Sequence, residues 1–156
     1  VEVSAELDAL ASEAQEVGQT LIRSVDTDTD AFNEVLKGMR LPRKTEADKA
    51  RRDAAIQEGY KAASRVPLRT AQLCLRAVEL ASQVACLGKT ASVSDAGVAA
   101  LMGCAGVEGA VYNVRINLPS ITDPAFREEM SAELDGLVIR AREIRDEVDA
   151  YVLSQI

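Results

Sequence analysis

Apolar residues recur every three or four positions along almost all of this chain and nowhere in strand-like alternation, which confines it to helices packed through one face. From Ser4, the positions Leu7, Leu10, Ala14, Val17, Leu21, Val25, Phe32 and Val35 describe one long amphipathic helix, with Ser4 as its expected N-cap. Gly38 to Lys44 carries glycine and proline breakers. Thr45, with Glu46 and Asp48 behind it, then caps a second helix. Its periodicity runs from Ala47 to Leu87, about 60 Å at 1.5 Å per residue, whereas a compact domain of this size is about 40 Å across. Pro67 is therefore expected to end or sharply kink that helix at Arg65-Val66. Gly88 is the expected left-handed stop, residues 89–93 are expected to form a loop, and Ser94 should cap the next helix. That helix holds Gly97, Gly103, Gly106 and Gly109, whose cost implies close backbone approach to a neighbouring helix or a ligand. Asp123-Pro124 opens a last helix with a stripe from Phe126 through Leu134 and Ile144 to Val152. The expected fold is all-α, an antiparallel bundle of four to five long helices forming one domain over residues 1–156.

Composition narrows the chemistry. The chain has no histidine, so imidazole-dependent triads and mixed Cys/His zinc sites are excluded, and acid/base work must rest on Asp, Glu, Lys, Tyr or Cys. A net charge of −7 and 3% aromatic residues argue against nucleic acid or an anionic bilayer as a partner. Cys74, Cys86 and Cys104 lack paired spacing and read as reduced, small core residues. No run of 18 apolar residues marks a membrane span, and the stretch Val1 to Ser12 is too acidic for a signal peptide, so a cytoplasmic protein is expected.

Three groups of residues could carry chemistry. In Val25-Asp26-Thr27-Asp28-Thr29-Asp30-Ala31-Phe32, helical spacing puts Asp28 on the apolar stripe and Asp26 and Asp30 on the solvent side. A core-facing carboxylate either finds donors at a helix contact or takes up a proton, as a general acid requires. Asn113 and Asn117 extend the small-residue face one turn apart. They could grip a planar polar ligand or bond a neighbouring helix. Asp95 opens the same helix, where an acid also favours the dipole. It lies about 27 Å from Asn113 along a continuous helix, so the two cannot share a site within one chain unless the helix breaks. Finally, Lys37, Arg40, Arg43, Lys44, Lys49, Arg51 and Arg52 form the one dense basic stretch, suited to a carboxylate or phosphate or simply to a solvated helix face.

The segments V-D-T-D-T-D-A-F, L-P-R-K-T-E-A-D-K-A-R-R, A-A-S-R-V-P-L, V-S-D-A-G-V-A-A-L and E-G-A-V-Y-N-V-R-I-N-L, in this order, resemble the cyclodeaminase domain of formiminotransferase-cyclodeaminase and the stand-alone methenyltetrahydrofolate cyclohydrolases. The likeness runs from about Val25 to Leu118. It implies an all-helical homodimer, expected to bury part of the small-residue helix, that processes a one-carbon unit on tetrahydrofolate without metal or nucleotide. It also implies an acid in the D-x-D-x-x-A-F motif, where the stripe selects Asp28. Asp95, Asn113 and Asn117 would position the pterin or leaving group, and Arg43, Lys44 and Arg52 the glutamate tail of the folate. Cyclodeamination and cyclohydrolysis need the same acid, and the residues do not separate them. The family's P-x-P-G-G-G-S segment has no match before Val25 and is expected to precede Val1 in a longer protein. Without it, the chain could instead be a non-catalytic helical scaffold.

Overall fold

The computed structural model describes residues 2–156. Four helices carry the fold: α1 (Glu2–Met39), α2 (Glu46–Leu87), α3 (Val93–Asn117) and α4 (Pro124–Gln155). Single 3-10 turns at Thr90–Ser92 and Leu118–Ser120 flank α3, and no strand occurs among the described residues. The all-α class expected from periodicity stands. Ser4 lies inside α1, which already begins at Glu2, and so does not cap it.

The α1–α2 turn forms where the breakers stand. Thr45 accepts from the Asp48 amide and Asp48 accepts from the Thr45 amide, both at 3.1 Å, a reciprocal capping box. Asp123 caps α4 one way, accepting from the Phe126 amide at 3.1 Å, ahead of the first-turn Pro124.

Between these caps α2 runs unbroken for 42 residues, and Pro67 neither ends nor interrupts it. Removing the amide of residue 67 leaves the Ala63 carbonyl without its helical donor. The side-chain amide of Asn117 supplies the replacement, donating to Ala63 O at 3.1 Å. Nor does the length of α2 force a break, because four long helices side by side make a rod rather than a sphere.

At the far end of α2, Gly88 is extended (φ −75°, ψ 174°), not left-handed. Its amide bonds Val84 O at 2.8 Å, and a Cβ there would stand 2.7 Å from that oxygen. Close approach, not handedness, therefore fixes the glycine. Ser94 sits in the first turn of α3 and does not cap it. The turn Thr90–Ser92 runs straight into the helix at the buried Val93.

The main core lies among α2, α3 and α4, from Ala71 and Val78 through Val107 and Val111 to Leu134 and Ile144. Gly103 and Gly106 face α2 of the same chain, where added Cβ atoms would meet Val78 Cγ2 and Cys74 Sγ at 2.7 Å each. The small-residue face is thus spent inside the chain and is not available to a second copy. Helix α1 packs on α2 in two separate zones: Leu10 and Val17 with Leu73 and Leu80, and Ala31 and Val35 with Ala63. Cys74 and Cys104 are buried as expected, but Cys86 is exposed at the end of α2. The segment Thr90–Ser120 is long and apolar enough to cross a membrane by length and composition (mean hydropathy 1.3 over 18 residues), yet one side of α3 packs as a core helix.

Ion pairs join the helices across the bundle: Arg115 with Asp135 and Arg142 with Glu108 link α3 to α4, and two more involve α2. Glu13 accepts from Arg76 Nε and Nη2 at 2.6 and 2.8 Å, and Asp123 accepts from Lys61 Nζ at 2.9 Å. These hydrogen bonds hold both carboxyls below their usual range. Acids with lowered folded pKa values contribute stability above the unfolded carboxylate pKa of about 4, and that stability disappears as pH falls through the folded values. The urea midpoint is therefore expected to be level between pH 7 and 5 and to drop on further acidification. Glu13→Gln should make the drop shallower, and a midpoint that rises in acid would contradict the pairing.

Candidate functional site

Asp28 occupies the face that its spacing assigned but not the environment. It lies eleven residues after the buried Val17 and seven before the buried Val35, hence at nearly the same angle around α1. Yet all of Val25 to Asp30 is exposed, because this stretch bridges the gap between the two α1–α2 contact zones. The expected burial of Asp28 is therefore absent in the single chain. Its neighbours on the stripe, Val25 and Phe32, are also exposed, at 68% and 47%. Asp26 and Asp30 face solvent as expected.

The register of the bundle shows what shares a level with Asp28. Val35 packs on Gly59, and Glu13 pairs with Arg76, so Asp28 lies opposite the turn from Ser64 to Pro67. On the neighbouring face of α2, Asn117 reaches Ala63 while Gly106 lies on Cys74, which brings Asn113 opposite Pro67. One level of the bundle thus holds Asp28, Pro67, Asn113 and Asn117. Ser64, fully buried, satisfies its hydroxyl there by donating to Tyr60 O at 2.9 Å.

Asn117 is the most constrained of these groups. Its Nδ2 donates to Ala63 O and to Asn113 O, each at 3.1 Å, so both amide protons are occupied and Oδ1 is left as an acceptor. Of the two readings open to Asn117, interhelical bonding is the one formed here. The Asn113 side chain is exposed.

This arrangement couples Asn117 to Pro67. In the native chain Asn117→Ala should cost about 1–2 kcal/mol, the scale of a buried acceptor left unpaired. In a Pro67→Ala background, residue 67 regains its amide and the cost should shrink markedly. Equal costs in the two backgrounds, measured by urea denaturation, would contradict the coupling.

Asp95 is separate in the single chain. Helix α3 is unbroken from Val93 to Asn117, so Asp95 stays about 27 Å from Asn113. It stands at the rim of an apolar groove of about 510 Å³ between α1, α2 and α3, with Leu10, Val17, Leu80 and Ala96 among its walls. Sequence patterning alone did not reveal this groove. Its signal was the run of small and apolar residues Ala11, Ala14, Gly18 and Leu21 beside the α1 packing stripe.

The basic stretch divides. Arg52 donates from Nε to Met39 O at 3.3 Å and lies 3.7 Å from Asp53, bracing the α1–α2 turn. Lys37 and Lys49 pair with Glu34 and Glu46 on their own helices. Arg43 and Lys44 are exposed in the turn. Among the described residues no cluster of three or more His, Cys, Asp or Glu side chains could hold a metal ion.

Comparison with known proteins places these features in a wider frame. A family model described as formiminotransferase-cyclodeaminase matches residues 1–136. The chain is 36% identical to a methenyltetrahydrofolate cyclohydrolase from Methylorubrum extorquens over its whole length, covering 75% of that protein. It is 41% identical over 118 residues to a formimidoyltransferase-cyclodeaminase from Sus scrofa, of which it spans only 22%. Its fold resembles that of a formiminotetrahydrofolate cyclodeaminase from Thermotoga maritima, with a TM-score of 0.86 at 23% identity over 98% of this chain and 72% of that one.

Proposed function

Because the chain belongs to the formiminotransferase-cyclodeaminase family, we propose that it acts on a one-carbon unit carried by tetrahydrofolate, hydrolysing 5,10-methenyltetrahydrofolate to 10-formyltetrahydrofolate. The observation that carries this reading is the likeness of the whole chain to three quarters of a cyclohydrolase. Cyclodeamination of 5-formiminotetrahydrofolate to the methenyl compound is the second reading, supported by the 41% identity to a bifunctional enzyme of which the chain spans about a fifth. A non-catalytic scaffold is not favoured.

Both reactions pass through a tetrahedral carbon between N5 and N10. In hydrolysis, a base takes a proton from water as its oxygen bonds the methenyl carbon; the N5–carbon bond then breaks as N5 gains that proton, the hydroxyl on the carbon releases its own proton to solvent to become the carbonyl, and the formyl group stays on N10. In cyclodeamination, N10 bonds the formimino carbon and loses its proton, and the protonated amino group leaves as ammonia. A single carboxyl group can ferry the proton in either case. We assign that role to Asp28, with Asn113 orienting the pterin; Asp95, about 27 Å away along α3, would reach the same ligand only from a second copy. Asn117, its amide protons already used, contributes an oriented acceptor. The methenyl carbon is already an activated electrophile, so the proposed reaction calls for no cofactor. We further propose a homodimer acting in the cytoplasm.

The reading is tested by supplying each substrate separately: loss of the near-ultraviolet absorbance of methenyltetrahydrofolate marks hydrolysis, and ammonia release from formiminotetrahydrofolate marks deamination. Absence of both activities would refute it.

Arg43 and Lys44 are proposed to hold the glutamate tail, which lies far from the reacting carbon and binds alike in ground and transition states. Replacing both with alanine should raise KM for polyglutamylated folate with kcat nearly unchanged. The effect should shrink with added salt. A fall in kcat at constant KM would instead place them at the chemistry.

A further inference from the structure

At Pro67 a side chain of α3 takes over a backbone hydrogen bond of α2. The proline supplies no amide to Ala63 O, and its ring crowds that carbonyl from within the helix. Asn117 Nδ2 donates there at 3.1 Å, and its second proton goes to Asn113 O at 3.1 Å. Both partners are carbonyl oxygens, which accept and never donate, so the nitrogen of the amide must face them and its oxygen must face away. Oδ1 has no donor among the described residues and is open to solvent.

The chain beyond Asn117 is held to α2 by a second set of bonds. Gln57 donates from Nε2 to Ser120 O at 2.9 Å, while its Oε1 accepts from the Thr122 amide at 2.7 Å and the Thr122 hydroxyl at 3.0 Å. Lys61 pairs with Asp123 one turn further along, and Leu118 and Ile121 between them are buried. The end of α3 can therefore neither slide along α2 nor turn away from it. What freedom Asn117 keeps is rotation of its own amide. An amide free to flip offers a ligand either nitrogen or oxygen; one held in a single sense offers oxygen alone.

We propose that Pro67 is a positioning residue: by leaving Ala63 O in need of a donor, it locks the Asn117 amide with its oxygen toward the ligand, so that the group seated there must be a hydrogen-bond donor. A proline inside a long helix departs from the local rule, and such departures concentrate at functional sites. The inference rests on the folate reading, which also names the donor. In 5,10-methenyltetrahydrofolate the two nitrogens bonded to the methenyl carbon carry no hydrogen, so the N–H groups near the reaction are those of the pterin rings and their amino group. A bond to them is made alike in ground and transition states, and its loss shows in KM rather than in kcat.

Pro67→Ala returns an amide to residue 67, which takes Ala63 O and releases Asn117. KM for methenyltetrahydrofolate should rise about three- to tenfold, the worth of one hydrogen bond, with kcat nearly unchanged. The effect should reverse in an Asn117→Asp background. A carboxylate cannot donate to Ala63 O, so there the added Pro67→Ala, by giving that carbonyl its own donor, should lower KM. A proline with only a structural role would raise KM in both backgrounds, and that result, or an unchanged KM in the native background, would overturn the proposal. The lock itself is read without substrate by hydrogen exchange of the Asn117 side-chain amide, identified in nuclear magnetic resonance spectra by its loss in Asn117→Asp. Exchange in the wild type should be slow beside that of the exposed Asn113 side chain, and fast in Pro67→Ala. Equally fast exchange of Asn113 and Asn117 in the wild type would overturn the lock, whether or not the variants fold. A wild type inactive on both folates but with Asn117 protected and released as described would count against the folate reading and leave the lock supported.

Discussion

Asp28→Asn is expected to preserve the helix bundle and to lower turnover by about 100-fold or more, the scale of a lost general acid or base. Folding should be unaffected because the carboxylate is exposed on α1 and makes no hydrogen bond that the bundle needs. Asparagine retains the size and polarity of the side chain but cannot carry a proton between water, the one-carbon unit and the leaving nitrogen. Asp26→Asn, two residues away and on the solvent side, should change turnover little. The comparison is internal, since the two substitutions alter net charge equally. Equal losses of turnover, measured at saturating substrate, would show that the assignment by helical face is wrong.

Gly103→Leu should destabilise the bundle more than Asn117→Ala or any of the charge substitutions. The Cβ alone would stand 2.7 Å from Val78 Cγ2 and 3.3 Å from the Cys74 carbonyl, and Val78 is fully buried in the main core. Neither helix can yield: α2 is also packed by α1 on its neighbouring face, and α3 is backed by α4 through Val107, Val111 and Ile144. Overfilling this contact is expected to cost about 3 kcal/mol or more. Gly109→Ala, at a position with open space around it, should cost little within one chain. Urea midpoints of the two variants check the contrast, and a Gly103→Leu protein as stable as the parent would contradict the intrachain α2–α3 contact.

Local signals predicted the helices well. Thr45 with Asp48, and Asp123 with Pro124, announce helix starts in the sequence because their capping bonds span only three residues. Pro67 was misleading because the remedy for its missing amide comes from Asn117, fifty residues away, and no local rule connects the two. The stripe through Asp28 was read at the right angle but credited with burial. Angle is a property of one helix; burial depends on what the opposing helix places at that level, and here the α1–α2 contact opens between its two apolar zones. Arg52 was grouped with Arg43 and Lys44 by charge and by the family resemblance, and its bond to the Met39 carbonyl is a tertiary contact that neither signal announces.

The central claim, that Asp28 drives chemistry at the folate one-carbon centre, is tested most directly by following the near-ultraviolet absorbance of 5,10-methenyltetrahydrofolate at neutral pH with wild-type protein, Asp28→Asn protein and buffer alone. The account predicts rapid decay with wild type and decay close to the buffer rate with Asp28→Asn. Decay at the buffer rate with wild type, or equal acceleration by both proteins, would contradict it.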